Sequence, residues 1–302
     1  MVPEALSFLG KQTTIVSGQR KEQSMGYATD GSSHRNGIKG EAKAIKLLKE
    51  NPSLRARFPE GPIEKAGGTH QTADIFAGRA PLSLKTKAAQ GNGTTDWINT
   101  TLSKLVKAEG YSLSGYLELE GVVSSMRSKY ADTILPSKSP EAKLIKEEHR
   151  EALLDATNGF FDVSFSKANL LEFVSSVCES QLNMDILLLA EKEKKVYHFH
   201  GSEHPIFLYL AKAKQDKGEF YLNCKKGARQ SRSLFFHDYA TGEKIDTTWR
   251  IRVVLNNGMG ALLAGKKWSS NGSSVLSVKV QQDETDKMLA QIPPDKIFIL
   301  RL

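Results

Sequence analysis

The chain has 302 residues, of which 39% are hydrophobic and 25% charged, an ordinary globular composition for one large domain or two smaller ones. Its formal net charge of +8 favours polyanionic partners, although a merely basic soluble protein carries the same balance. The two cysteines, Cys178 and Cys224, lie far apart in no metal-ligand spacing, which argues against a disulfide framework and for an intracellular protein.

"MVPEALSFLG" lacks the charged start and long apolar stretch of a signal peptide. Residues 1–35 read as a flexible, polar, Gly- and Ser-rich N-terminal arm. Its Arg20, Lys21, His34 and Arg35 suit phosphate contact as well as a solvated tail. "NGIKGEAKAIKLLKENP" (Asn36 to Pro52) predicts a helix ending before Pro52. Ile38, Ile45 and Leu48 share one face, and Glu41 falls on that apolar stripe. An acid there either serves a site or pairs with a lysine at the rim.

"GPIEKAGG" predicts a first strand, carrying Glu64. "TADIFAGRAPLSLKTK" (Thr72 to Lys87) predicts a hairpin. Pro81 cannot donate to a ladder, so Gly78–Pro81 is expected as a four-residue loop pairing Ala77 with Leu82 and Asp74 with Lys85. An even-length loop sets Asp74, Ser83 and Lys85 on one side, with Leu82, Leu84 and Thr86 packing the other. Charges in half-buried strands cost stability unless they are paired or hold a metal. A carboxylate that holds Mg²⁺, beside a lysine that positions water, suits phosphodiester hydrolysis. A plain cross-strand ion pair between Asp74 and Lys85 explains the same residues.

"TDWINTTLSKLVKAEG" (Thr95 to Gly110), "SPEAKLIKEEHREALLDATNG" (Ser139 to Gly159) and "SKANLLEFVSSVCESQL" (Ser166 to Leu182) are read as helices. "DILLLAEKE" and "KKVYHFHG" follow as a strand hairpin; "DILLLA" is far too short for a membrane span. From about residue 205 the chain reads as strands: "PIFLYLAKAK", "GEFYLNCKK", "SLFFHDY", "TTWRIRVVLNNG" and "SVLSVKVQQD". His198, His200 and His204 stand close in sequence, as a metal site or as a strand end running into a turn. Lys225, Lys226, Arg229, Arg232, Arg250 and Arg252, with Lys266, Lys267 and Trp268, supply the basic and polar mixture of a DNA-contacting surface. A solvated basic face predicts much of the same set.

Asp74, nine residues before "SLK", resembles the PD-(D/E)XK motif of type II restriction endonucleases and related enzymes. The resemblance covers about residues 36–105, including a Gly/Thr/Asn-rich loop after the lysine. It departs from the motif at Ala73, where proline is usual, and at Ser83, where the second acid usually stands. By position it implies Asp74 as metal ligand and Lys85 as catalytic lysine, with Ser83 in the vacated place. Glu41 is the first candidate for the recruited acid and a metal ligand, Glu64 the second, and Asp96 the third. The resemblance implies an α/β fold, a mixed sheet flanked by helices over residues 36–200, with a strand-rich DNA-recognition part over 201–302. It also implies a Mg²⁺-dependent DNA endonuclease, with Mn²⁺ as a substitute, acting as a homodimer on double-stranded DNA. Lys87 and Asn99 would join the basic residues at DNA, and a cognate methyltransferase is the accompanying partner to look for. The expected setting is cytoplasmic, in a bacterial or phage-encoded system. A structure-selective, phage or repair nuclease on the same core, and a non-catalytic DNA-binding protein, are the competing expectations.

Overall fold

The computed structural model describes residues 32–66, 73–88, 93–101, 113–130, 139–141, 144, 155–162, 164–223, 231–255 and 276–302. It is a mixed α/β protein with two sheets. Helix α1 (Ser32–Glu50) starts four residues earlier than expected, taking His34 and Arg35 into the helix, and seats Ala44 and Leu48 fully buried. Asn51 ends α1 and caps the short α2 (Pro52–Arg55), its side chain accepting from Leu54 N at 2.9 Å with Pro52 in the first turn. Arg55 then donates to the carbonyls of Phe58, Pro59 and Gly61, which steers the chain into the first sheet.

That sheet has the strand order β1 (Ile63–Lys65), β2 (Ile75–Ala77), β3 (Ala80–Thr86), β5 (Asp185–Ala190), β6 (Lys195–His200) and β11 (Ile297–Arg301). The β3–β5 pair is parallel and every other pair is antiparallel. The apolar run of β5 has a simple cause, since both faces of this central strand are covered. Leu187 and Leu189 meet the core under α1, whereas Ile186, Leu188 and Ala190 meet the larger core between the sheets.

The second sheet is antiparallel, in the order β4 (Thr95–Thr101), β10 (Leu276–Gln282), β9 (Lys244–Leu255), β8 (Ser231–Asp238) and β7 (Gly218–Asn223). Trp97, Trp249 and Phe236 from this sheet pack with Phe160, Phe173 and Phe199 in the larger core. Because β4 joins the C-terminal strands and β11 returns to the first sheet, the expected break near residue 200 does not separate the sheets.

Two element assignments differ from expectation. Thr95–Thr101 is a strand rather than the start of a helix. Its β-branched and aromatic residues stiffen an extended chain, with Thr95 and Trp97 buried and Asp96 exposed in alternation. Ile206–Lys214 is a helix rather than a strand: Ile206, Leu210 and Ala213 recur at helical spacing on its buried side. The helices Leu113–Tyr130 and Thr285–Gln291 and strand β11 were not anticipated. The helix Lys167–Val177, running into the π-helical turn Cys178–Leu182, and the β5–β6 hairpin lie where the sequence puts them. Within Ser139–Gly159, residues 140, 141, 144 and 155–159 are helical among those described. Among the described residues no helix is long and apolar enough to cross a membrane.

Candidate functional site

The hairpin closes more tightly than expected. Ala77 pairs with Ala80, Phe76 with Pro81 and Ile75 with Leu82, leaving a two-residue turn, Gly78–Arg79. Gly78 has a φ of +65°, and a Cβ there would stand 2.6 Å from the Pro59 carbonyl oxygen, so only glycine fits. Pro81 is exposed inside the ladder rather than in the loop. The loop is still even and Ser83 and Lys85 share a side as expected, but Asp74 does not join them: its carboxylate turns to the strand edge and opens to the Leu84 and Thr86 side. This register brings Asp74 level with Ser83 rather than Lys85.

Asp74 lies just before β2, at the point where that strand parts from β3. Its backbone N–H still donates to Leu82 O at 2.9 Å. Its carboxylate replaces the next ladder rung: Oδ2 accepts from Leu84 N at 2.6 Å and from Ser83 Oγ at 3.4 Å. Among the described residues Oδ1 takes no hydrogen bond. The carboxylate therefore stands beside the edge of β3, between the two faces of the sheet.

Ser83 and Lys85 point into the space between the sheets, on the side of Ile186 and Leu188. Ser83 is fully buried. Lys85 Nζ donates to the Trp97 carbonyl on β4 at 3.1 Å. Burial pushes the pKa of Lys85 down, and the carboxylates of Asp74 and Asp96 work against that shift. Lys85 is thus a desolvated ammonium between two acids, rather than half of an exposed ion pair.

On the other face, α1 and the sheet enclose a cavity of about 580 Å³. Glu41, Asp74, Leu84 and Thr86 line it, with Lys39, Lys43 and Glu191 around them. The Lys65 ammonium lies 2.6 Å from Glu41 Oε2 without hydrogen-bond alignment, and Lys43 pairs with Glu191 at 2.9 Å. Glu41 therefore shares a cavity with Asp74 but sits across β3 from Lys85. Glu64 is exposed on β1, opposite Phe76, and is not part of the cavity lining. Asp96 stands on Lys85's side of the sheet.

Two residues expected at DNA are used internally. Lys87 is buried, and its Nζ binds Glu193 at 2.8 Å and both oxygens of Asp286 at 2.7–2.8 Å. Arg232 is also buried, bonded to Ser231 O and Asn158 Oδ1, with its guanidinium 4.9 Å from the centre of the Phe161 ring. Period-two reading makes both surface cations, because it does not reveal what covers a strand. Arg250 and Arg252 do project together from β9, opposite the buried Ile251 and Val253. Both donate to Gln281 Oε1, at 3.3 and 3.1 Å, and Arg250 also pairs with Asp283 at 2.8 Å. Asn99 lies on β4 in register with Lys279, which is in register with Arg252. Lys225, Lys226, Arg229, Lys266, Lys267 and Trp268 lie outside the described residues, as do Arg20 and Lys21.

The three histidines do not converge. His198 Nε2 meets Asp185 at 3.0 Å, and its ring packs on Phe58. His200 is exposed and caps the turn at Ser202. His204 is buried between Trp97 and Trp249. His204 Nδ1 accepts from Ile206 N at 3.1 Å, which leaves Nε2–H to donate to Gln282 Oε1 at 3.0 Å. Burial lowers its pKa to about 4. The unfolded chain binds this proton near the ordinary value of 6.5, whereas the folded protein does so only near 4. Stability is therefore complete above the unfolded value and declines as pH falls through that window, by about 3 kcal/mol from this group. Urea titrations of wild type and His204→Gln between these pH values check this, with the variant expected to lose less stability on acidification.

Among the described residues no group of three His, Cys, Asp or Glu side chains stands ready to hold a metal ion. Two carboxylates on one cavity nevertheless fit Mg²⁺, which typically takes one or two carboxylates and completes its shell with water and phosphate oxygens. Asp74 Oδ1 and the Glu41 carboxyl are the donors that fit. Sequence reading found Asp74, Ser83, Lys85 and Glu41 but not the Trp97 carbonyl or Gln281, since neither a backbone acceptor nor a cross-sheet amide leaves a motif. No family model, no curated protein and no solved structure matches this chain.

Proposed function

We propose that the chain is a Mg²⁺-dependent DNA endonuclease of restriction type, able to use Mn²⁺, that hydrolyses phosphodiester bonds in double-stranded DNA. One observation carries this reading: Asp74 stands where β2 leaves β3, open to a cavity with a second carboxylate and next to a desolvated lysine. Helix α1, the β1–β3 meander and the parallel β5 support the mixed, helix-flanked sheet that the PD-(D/E)XK resemblance implies.

Uncatalysed phosphodiester hydrolysis is extremely slow, so the site must stabilise added negative charge and orient water. Mg²⁺, when bound, supplies a Lewis acid and a more acidic water. Asp74 and Glu41 are the residues to hold it. Ser83, lacking charge, bonds Asp74 and holds its carboxylate toward the opening. Lys85 offers a positive charge and a proton that burial makes easier to release. Arg250 and Arg252 are the described side chains offered to the DNA backbone. Cutting both strands with one site per chain calls for a two-fold dimer.

The test is cleavage of a long mixed-sequence duplex with Mg²⁺, comparing wild type with Lys85→Ala. Discrete fragments from wild type alone support the restriction reading, and end mapping then gives the recognition site. A smear that the mutation abolishes keeps the nuclease and points to a structure-selective or non-specific role. No cleavage by either protein, with tight salt-sensitive DNA binding, overturns catalysis and leaves a DNA-binding protein.

A further inference from the structure

Lys85 reaches the second sheet at the Trp97 carbonyl, and beside that point a row of polar residues runs across the face of the sheet turned away from the shared core. Asp96 on β4, Gln281 on β10 and Arg250 on β9 are in register. The β4–β10 ladder shifts between Val280 and Gln281, so Gln281 pairs with Asp96 and Trp97 is left as the extra residue. That irregularity has two consequences. The Trp97 carbonyl is turned to Lys85 Nζ, and the Asp96 carboxylate meets the Gln281 amide at 2.5 Å.

Gln281 is itself held. It is 8% exposed, and its Oε1 accepts from Arg250 and from Arg252. One amide thus joins two guanidinium groups to one carboxylate, and its orientation follows from these bonds: oxygen toward the arginines, nitrogen toward the acid. Lys279 adds a looser contact to Asp96, at 3.6 Å. The titratable groups acting on Lys85 are therefore Asp74 before β2 and Asp96 on β4.

We propose that Asp96, fixed by Gln281, is a positioning residue for Lys85, and that the Arg250–Arg252 pair is coupled to that lysine through the same amide. This rests on the nuclease reading for its purpose, though not for its geometry. A DNA phosphate bound at the two arginines competes with Gln281 Oε1 for their N–H groups. The amide, and with it Asp96, then responds to DNA. The acid that Ser83 does not supply on β3 is provided electrostatically from the neighbouring sheet.

Two readouts test this on the full-length protein. The first is the NMR titration of the Lys85 side chain, using ¹³C-labelled lysine and Lys85→Arg to assign the signal. Asp96→Asn should move the Lys85 midpoint to lower pH, because one of two opposing carboxylates is lost. Asp96→Glu should restore part of it. Adding a short duplex oligonucleotide should shift the Lys85 signal in wild type and much less in Gln281→Leu. The second readout is cleavage: Asp96→Asn should lower kcat about 10-fold, leave KM nearly unchanged, and move the alkaline limb of the pH–rate profile down. An unmoved Lys85 titration in a folded Asp96→Asn protein overturns the proposal. Should that variant not fold, Gln281→Leu takes its place, with the same shift expected and an unmoved titration equally fatal. A shifted titration without wild-type cleavage overturns the nuclease reading alone; cleavage with an unmoved titration overturns the positioning role alone.

Discussion

Replacing Asp74 with asparagine should cut the rate of duplex cleavage by about 1,000-fold or more while the protein stays folded and still binds DNA. The two substitutions available at this position separate structure from chemistry. Asparagine keeps an oxygen that can accept from Leu84 N, the bond that completes the ladder where β2 ends. It removes the charge that a divalent cation and Lys85 both respond to. Alanine removes the acceptor as well and leaves the Leu84 amide short of a partner, a cost of about 1–3 kcal/mol. Asp74→Asn should therefore be inactive at wild-type stability, and Asp74→Ala inactive and less stable. Mg²⁺-dependent cleavage and thermal melting, run side by side, make the comparison. Wild-type cleavage by Asp74→Asn would remove this carboxylate from the chemistry.

The legible part of this site was the part written along one strand. Alternation along β3 put Ser83 and Lys85 on one side and Leu82 and Leu84 on the other whatever the loop. Helical spacing gave α1 only part of its buried stripe: Leu48 is buried, Ile45 half-buried and Ile38 exposed, while Ala44 takes a buried place and Glu41 is half-buried. Contacts across the two sheets were not legible. The sequence around Asp96 reads as the start of a helix, which hides its strand register with Gln281. Lys87 and Arg232 look like any other surface cations until the carboxylates and the ring that hold them are known. Glu41 reaches the Asp74 cavity but lies across β3 from Lys85, whereas the Asp96 charge acts on the lysine from the second sheet.

The second large effect is on stability, at the end of the strand that carries Lys85. Lys87 has a side chain only 4% exposed, yet it is surrounded by the carboxylates of Glu193 and Asp286. Burial lowers its pKa, but hydrogen bonds and charge from the two acids outweigh that and raise it overall. Gly93 has a φ of +66°, and a Cβ there would lie 2.3 Å from Lys87 Cε, so the glycine lets the chain close over the lysine stem. The knot joins β3 to the β5–β6 turn and to the helix Thr285–Gln291 that leads into β11. Removing one acid leaves the other. Removing both, in Glu193→Gln with Asp286→Asn, strands a buried ammonium and should cost about 3 kcal/mol. Tm should fall by roughly 5–10 °C. Adding Lys87→Met to that double variant should recover much of the loss, because the uncompensated charge goes with it. Acid should mimic the double variant. Glu193 titrates below its ordinary value of 4.5, chiefly through its bond to Lys87, so its contribution is present above that value and is lost as pH falls through the lower folded one. Chemical denaturation of the three proteins at neutral pH decides the matter. Equal stability of wild type and double variant would mean that the Lys87 ammonium reaches water unaided, and β3 would then owe its fixed end to packing alone.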